Sequence, residues 1–272
     1  MRVCLTIAGS DSGAGAGIQA DLKTFAARGQ YGVCAITAVT AQNTLGVQGI
    51  WSLPAEAVRA QLESLFADFD VAAAKTGMIL NAETVGIVAQ CLREHPLPNL
   101  VVDPVMRAKS GDALLAPEAQ AVLVNELLPL ALVLTPNLAE AEALLEAKIT
   151  SLADMAEAAA ALSRLGPKAV LLKGGHLEDA EGESVDVLYH EGRVHQLAAP
   201  RLRTRDTHGT GCTLSAAIAA ELAQGHGVVD ACRRAKEYLT AALAAALHLG
   251  HGVGPFDHFV WGAPRLTEQG PP

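Results

Sequence analysis

The chain has 272 residues, half of them hydrophobic, and carries a formal charge of -9 with an isoelectric point near 5.4. That length can bury one sizeable core, and an acidic balance with no Lys/Arg block of even four residues argues against a phosphate-backbone surface, so nucleic acid is not an expected partner. No apolar stretch reaches the ~18 residues of a membrane span and no cationic leader precedes the first apolar run, so nothing in the sequence directs the chain to a membrane or elsewhere.

The five cysteines (Cys4, Cys34, Cys91, Cys212 and Cys232) are widely spaced and form no CxxC pair, which fits a reducing cytoplasm better than a disulfide framework or a zinc site. Aromatic residues make up only 4%, so the core must be built from Ala, Val, Leu and Ile, a composition suited to helices packed over a parallel sheet.

In chain order, short aliphatic runs predict buried strands over Val3 to Ile7, Val33 to Val39, Val71 to Ala74, Leu100 to Val102, Leu132 to Leu134 and Ala169 to Leu172. Ala-rich amphipathic stretches predict helices over Pro54 to Phe66, Ala82 to Arg93, Pro117 to Leu127, Leu138 to Glu146 and Leu152 to Leu165. Such alternation implies parallel βαβ crossovers, an α/β doubly wound fold. Two runs, Val185 to Tyr189 and Val194 to Ala198, flank Glu191-Gly192 and predict a hairpin that adds an antiparallel edge. Helices over about Thr213 to Ala223 and Val229 to Leu247 close the chain. With no repeat or composition break, residues 1–262 are expected to form a single domain and 263–272 a frayed tail.

Ligands of open parallel sheets bind outside the carboxyl ends of the strands. The residues after each run are polar or glycine-rich: Gly9 to Gly17, then Gln42-Asn43, Lys75-Thr76-Gly77-Met78, Asp103-Pro104, Thr135-Pro136-Asn137 with Glu140, and Lys173-Gly174-Gly175-His176. They are expected to converge on one rim. The first stretch is not a dinucleotide fingerprint, because a GxGxxG starting at Gly13 needs glycine where Ile18 stands, and no Gly-Lys pair exists for a Walker A loop. It admits two readings, a tight strand-to-helix turn or a close approach of backbone to a ligand.

Asp206 to Leu214 (DTHGTGCTL) is more informative, since a glycine-rich turn opening into an apolar helix leaves backbone N–H groups free for an anion. Cys212 would sit at the helix N-terminus, where the dipole is expected to lower its thiol pKa and leave an accessible thiolate; a buried, inert cysteine is the other reading. Asn137 with Glu140 is either a helix cap with a first-turn acid or part of a magnesium site. Phosphoryl transfer needs magnesium, a cation on the transferring phosphate and backbone donors for developing charge, and Asp103, Asn137, Glu140, Lys173 and the Gly209 to Cys212 turn supply these together. The histidines at 95, 190, 195, 226 and 248 show no ligand spacing, and those at 251 and 258 fit a turn or packing role.

The motifs AGSDSGAGAGIQADLKTF, AQNTLGVQ, KTGM, DPVMRAKSGDALL, TPNLAEAEALL, LLKGGH and THGTGCTLSAAIAA, in that order from Ala8 onward, resemble the bacterial hydroxymethylpyrimidine/phosphomethylpyrimidine kinases, a branch of the ribokinase-like superfamily. The resemblance implies a ribokinase-like, mostly parallel sheet flanked by helices, a homodimer, and a reaction that uses ATP and Mg2+ twice. The first transfer is to 4-amino-5-hydroxymethyl-2-methylpyrimidine and the second to its monophosphate, for thiamin biosynthesis. It implies further that Gln42 binds the aminopyrimidine edge and that Gly9, Asp21 and Met78 line the pyrimidine pocket. Cys212, which stands where most of the superfamily has aspartate, would be the catalytic base beside Gly209 and Gly211. Lys173 would neutralise phosphate charge, Thr207 and Thr210 would lie at the nucleotide phosphates, and Asp103, Asn137 and Glu140 would organise magnesium through water. The segment Val105 to Leu115 resembles the family's flap over the substrate. Gly13 and Ala14 stand where the family commonly has Ser and Gly. The alternative within the same branch is a pyridoxal/pyridoxine kinase or a dual-specificity enzyme; its flap often carries a second cysteine, and Val105 to Leu115 has none.

Overall fold

A computed structural model describes residues 1–106, 116–175, 177 and 182–262. Strand β1 (Val3–Ala8) leads through the glycine-rich loop into α1 (Gly17–Ala27) and then β2 (Tyr31–Ile36). A separate antiparallel pair follows, β3 (Ala38–Asn43) and β4 (Gly46–Ser52), and then α2 (Ala55–Asp68), β5 (Val71–Thr76), α3 (Ala82–Glu94) and β6 (Leu100–Val102). The second half runs through α4 (Pro117–Val122), β7 (Val133–Leu134), α5 (Leu138–Leu145), α6 (Leu152–Ser163), β8 (Ala169–Leu172), β9 (Glu183–His190), β10 (Arg193–Pro200), α7 (Thr210–Ala223) and α8 (Val228–Ala244).

The main sheet has eight strands in the order β10-β9-β8-β7-β6-β5-β1-β2. Its central strands are parallel, and β9 and β10 form the expected antiparallel edge. Glu191 and Gly192, at φ 50° and 74°, make the hairpin turn with both central residues left-handed, which matches strand twist. Successive strand residues face opposite sides. Leu5, Ile7, Val102 and Leu134 join one core cluster with Leu62, Val85 and Met155 of α2, α3 and α6, whereas Cys4, Val101 and Val133 join another with Phe25, Ile218 and Tyr238 of α1, α7 and α8. Helix α7 is buried continuously from Thr213 to Ala223, and its run of alanines lets it lie close on the sheet.

Three features differ from expectation. The run Val33 to Val39 is not one strand: β2 ends at Ile36, and the chain leaves the sheet at Thr37, whose hydroxyl donates to the Met78 carbonyl at 2.7 Å. Strand β4 was not expected, because Gly46 and Gly49 dilute its pattern and most of its side chains are half-exposed. The helix expected over Pro117 to Leu127 is regular only to Val122 and continues as a π turn through Leu127 and a 3-10 turn around Pro129.

Candidate active site

Strand order reverses beside β1, with β2 on one side and β5 on the other, and such switch points open a crevice at the carboxyl ends of the strands. A cavity of about 300 Å³ lies there, and Gly9, Gln42, Met78, Asp103, Asn137, Glu140, Lys173, Gly209, Gly211 and Cys212 all line it. The rim expected from the sequence is therefore assembled, together with Val47 and Ile50 from the hairpin strand that was not foreseen.

At one end the walls mix apolar and amide groups with the Asp11–His208 pair. Gly9 packs against Met78, and a Cβ there would push the Met78 Cε aside. The hairpin carries Gln42 over the cavity, its Nε2 3.3 Å from His208 Nε2, and that histidine nitrogen is 2.7 Å from Asp11 Oδ2. Asp11 also accepts from the Gly13, Gly15 and Ala16 amides at 2.8, 3.0 and 2.8 Å, so it folds the glycine-rich loop and ties it to the turn before α7. These amides and His208 outweigh burial and hold its carboxyl below the usual range. His208 and Asp11 lie in loops far apart in sequence, and only their contact in the fold reveals them as a pair.

At the other end Lys173 Nζ lies 3.0 Å from Asp103 Oδ1, and Thr135 Oγ1 lies 3.3 Å from the same oxygen. Asn137 and Glu140 form a full capping box on α5: Asn137 Oδ1 accepts from the Glu140 amide at 2.9 Å, and Glu140 Oε2 accepts from the Asn137 amide at 2.8 Å. The helix-cap reading of this pair is observed, and the cap itself lines the cavity. Burial, reinforced by Asp103 and opposed by Lys173, pushes the Glu140 carboxyl up to about 7. Among the described residues no group of three His, Cys, Asp or Glu side chains is arranged to hold a metal directly. With Asp103 and Asn137 already engaged, the donor set suits a hydrated cation held through water.

The turn Gly209 to Cys212 closes the site. Gly209 sits at φ 84° against the backbone of Gly15, where a Cβ would overlap the Gly15 carbonyl. A Cβ on Gly211 would lie 3.4 Å from Lys173 Nζ and 3.6 Å from Asp103 Oδ2, so its backbone faces the charged end. Thr207 and Thr210 lie beside this turn, the Thr210 hydroxyl donating to the Thr207 carbonyl at 2.5 Å, and neither lines the cavity. The 107–115 portion of the expected flap and His176 lie outside the described residues.

Two site expectations are corrected. The Cys212 thiol is not acidic in this state: burial pushes it up to about 11 against the Lys75 charge and a Gly17 amide bond, because desolvation outweighs a helix N-terminus worth ~1 kcal/mol. Asp21 does not line the cavity. It is fully buried, with Lys75 Nζ at 3.0 and 2.8 Å from its two oxygens and the Thr6 hydroxyl at 2.6 Å. The pairing lysine belongs to the KTGM motif, and only the β1–β5 register, which sets Thr6 beside Lys75, shows what it meets.

The family model described as phosphomethylpyrimidine kinase matches residues 11–257. The chain belongs to that family. It is 53% identical over 254 residues to the hydroxymethylpyrimidine/phosphomethylpyrimidine kinase of Streptomyces coelicolor, covering 93% of each chain. It is also 49% identical to a chloroplastic thiamine biosynthetic bifunctional enzyme of Arabidopsis thaliana, over 94% of this chain and 49% of that one. Among solved structures, an ADP complex of Bacillus subtilis pyridoxal kinase aligns with a TM-score of 0.89 and 40% identity over 96% of this chain and 98% of that one. The chain is a kinase with the ribokinase-like fold, and its family uses ATP.

Proposed function

We propose that the chain transfers the γ-phosphoryl group of ATP to the hydroxymethyl group of 4-amino-5-hydroxymethyl-2-methylpyrimidine and then to the phosphate of the product, yielding the diphosphate used in thiamin assembly. The observation that carries the proposal is one cavity with two chemically different ends, Gly9, Gln42 and Met78 against Asp103, Lys173 and Gly211, joined by Cys212. A flat heterocycle fits the first end, where the Gln42 amide offers one donor and one acceptor to the ring nitrogen and exocyclic amine. At the second, Lys173 meets transferring-phosphate charge, and the amides opening α7 meet charge as it develops. Thr207 and Thr210, at this same turn, lie at the nucleotide phosphates.

Cys212 accepts the hydroxyl proton as the oxygen attacks phosphorus. Asp103, Asn137 and Glu140 would hold magnesium through water, and when bound the ion would supply positive charge to the transferring phosphate. The same proposal includes a homodimer in the cytoplasm, in keeping with free cysteines and the exposed Val39, Leu45 and Trp51 on the hairpin. Among the described residues no helix is long and apolar enough to cross a membrane.

Phosphorylation of the pyrimidine, its monophosphate and pyridoxal is compared for wild type, Cys212→Ala and Gln42→Ala, with products resolved by mass. Diphosphate formation is expected, with kcat lowered by roughly 10²–10⁴ in Cys212→Ala and KM chiefly raised in Gln42→Ala. Phosphorylation of pyridoxal alone would overturn the substrate assignment in favour of the activity named for the Bacillus subtilis relative. Full activity of Cys212→Ala would overturn the base.

A further inference from the structure

We infer that Lys75, held by Asp21, is a positioning residue whose ammonium group is the counter-charge for the Cys212 thiolate. The inference rests on the proposal that Cys212 accepts the substrate proton, and it assigns a task to a lysine that does not line the cavity.

Lys75 has no exposed surface, and its partner Asp21 has none either. Burying such a pair is seldom stabilising by itself, since desolvation consumes most of the attraction and an apolar pair of similar size packs as well. What it creates is a fixed field at one place. Both Asp21 oxygens hold the ammonium from the α1 side, and the Thr6 hydroxyl fixes the carboxylate in turn. On another side Gly77 leaves room, for a Cβ there would lie 2.9 Å from Lys75 Nζ. Helix α7 packs across β5, and its third residue is Cys212.

Among the described residues, charges act on the sulfur from several elements. Asp21 on α1 and Asp103 after β6 oppose ionisation, and Lys75 on β5 and the Gly17 amide at the start of α1 favour it. Lys173, after β8, is paired with Asp103 at 3.0 Å and also feels the Cys212 charge, but as the last of its influences, after burial, Asp103 and Glu140. His258, against Thr213 at 3.1 Å, is held neutral by burial. Lys75 is the largest influence favouring ionisation, and the coupling is mutual, since the Cys212 charge helps to keep Lys75 protonated.

In the transfer step the substrate oxygen bonds to the γ-phosphorus, the bond from that phosphorus to the ADP oxygen breaks, and the hydroxyl proton passes to the Cys212 sulfur. Lys75 takes no proton. It sets how much thiolate exists before the step. Removing it also leaves a tolerable interior, because burial already raises the Asp21 carboxyl, which takes up a proton once its lysine is gone.

The test measures alkylation of Cys212 by iodoacetamide against pH, resolved from the other four cysteines by mass spectrometry, in wild type, Lys75→Met and the charge-balanced Lys75→Met/Asp21→Asn. The pH dependence of kcat is measured in parallel, and folding is confirmed by circular dichroism. Expected is a roughly tenfold or greater fall in Cys212 alkylation at pH ~9 in both variants, a shift of about one pH unit, with the rising limb of kcat displaced equally. Alkylation unchanged in the folded variants overturns the inference. Alkylation that slows while the kcat limb stays put supports the Lys75–thiolate coupling and overturns Cys212 as proton acceptor, so the two failures are distinguishable.

Discussion

Ala14 holds a left-handed conformation at φ 59°, its amide donating to the Asp11 carbonyl at 2.9 Å and its own carbonyl accepting from Lys23 Nζ at 2.7 Å. A residue with a Cβ loses about 1 kcal/mol there, yet the loop keeps its course because Asp11 gathers three amides around it. The departure noted in the sequence thus changes strain rather than shape. Ala14→Gly is expected to raise stability by at most about 0.5 kcal/mol, after the extra freedom of an unfolded glycine is subtracted, measured by urea unfolding. A second residue-scale prediction concerns His258, buried against Thr213 at 3.1 Å and stacked on Phe256. Burial, aided by Lys23, lowers its pKa from 6.5 to about 4. In that window the unfolded chain binds a proton that the folded chain refuses, so stability falls as pH drops, by up to about 3 kcal/mol. Glu140, raised to about 7, acts in the opposite sense. It cancels when wild type and His258→Gln are compared by urea unfolding at pH 7.5 and 4.5, where the variant is expected to lose less.

Three helices on one face of the sheet are joined through a single carboxylate. Glu221 on α7, with no exposed side-chain surface, accepts from Arg28 Nε at the end of α1 at 2.9 Å and from Arg234 Nε on α8 at 2.6 Å. Arg28 also lies over the Tyr238 and Trp261 rings at 5.3 and 4.8 Å. Neutralising the acid leaves two cations facing each other, so Glu221→Gln is expected to cost about 3 kcal/mol, measured by thermal unfolding. Glu221 does not line the cavity, so kcat at a temperature where the variant is folded is expected to stay at the wild-type value.

For the whole molecule, both cores rest on one eight-stranded sheet, and the cavity draws on the glycine-rich loop, the hairpin, the rim and α7 at once. A ligand in that cavity binds only the assembled protein. Thermal unfolding is therefore expected as one transition, in keeping with a single domain. Its midpoint should rise with ATP analogue and pyrimidine, by about 2.7 kcal/mol at one hundred times Kd, or roughly 5 °C or more for a chain of this size. Two transitions, with ligand moving only one, would mean that the halves fold separately.

Periodicity and composition alone carried the α/β alternation, the β9–β10 hairpin and the capping box of Asn137 with Glu140, because these depend on neighbours within a few residues. The rim was legible too, since strand ends in a parallel sheet share one edge. The sequence did not reveal β4, the Asp11–His208–Gln42 chain, the Asp21–Lys75 pair or the raised Cys212 thiol. Each depends on partners brought together from distant segments, and on how much water those partners exclude. Local pattern records which groups are present at a strand end; only the packed sheet decides which charges meet and how far each is withdrawn from solvent.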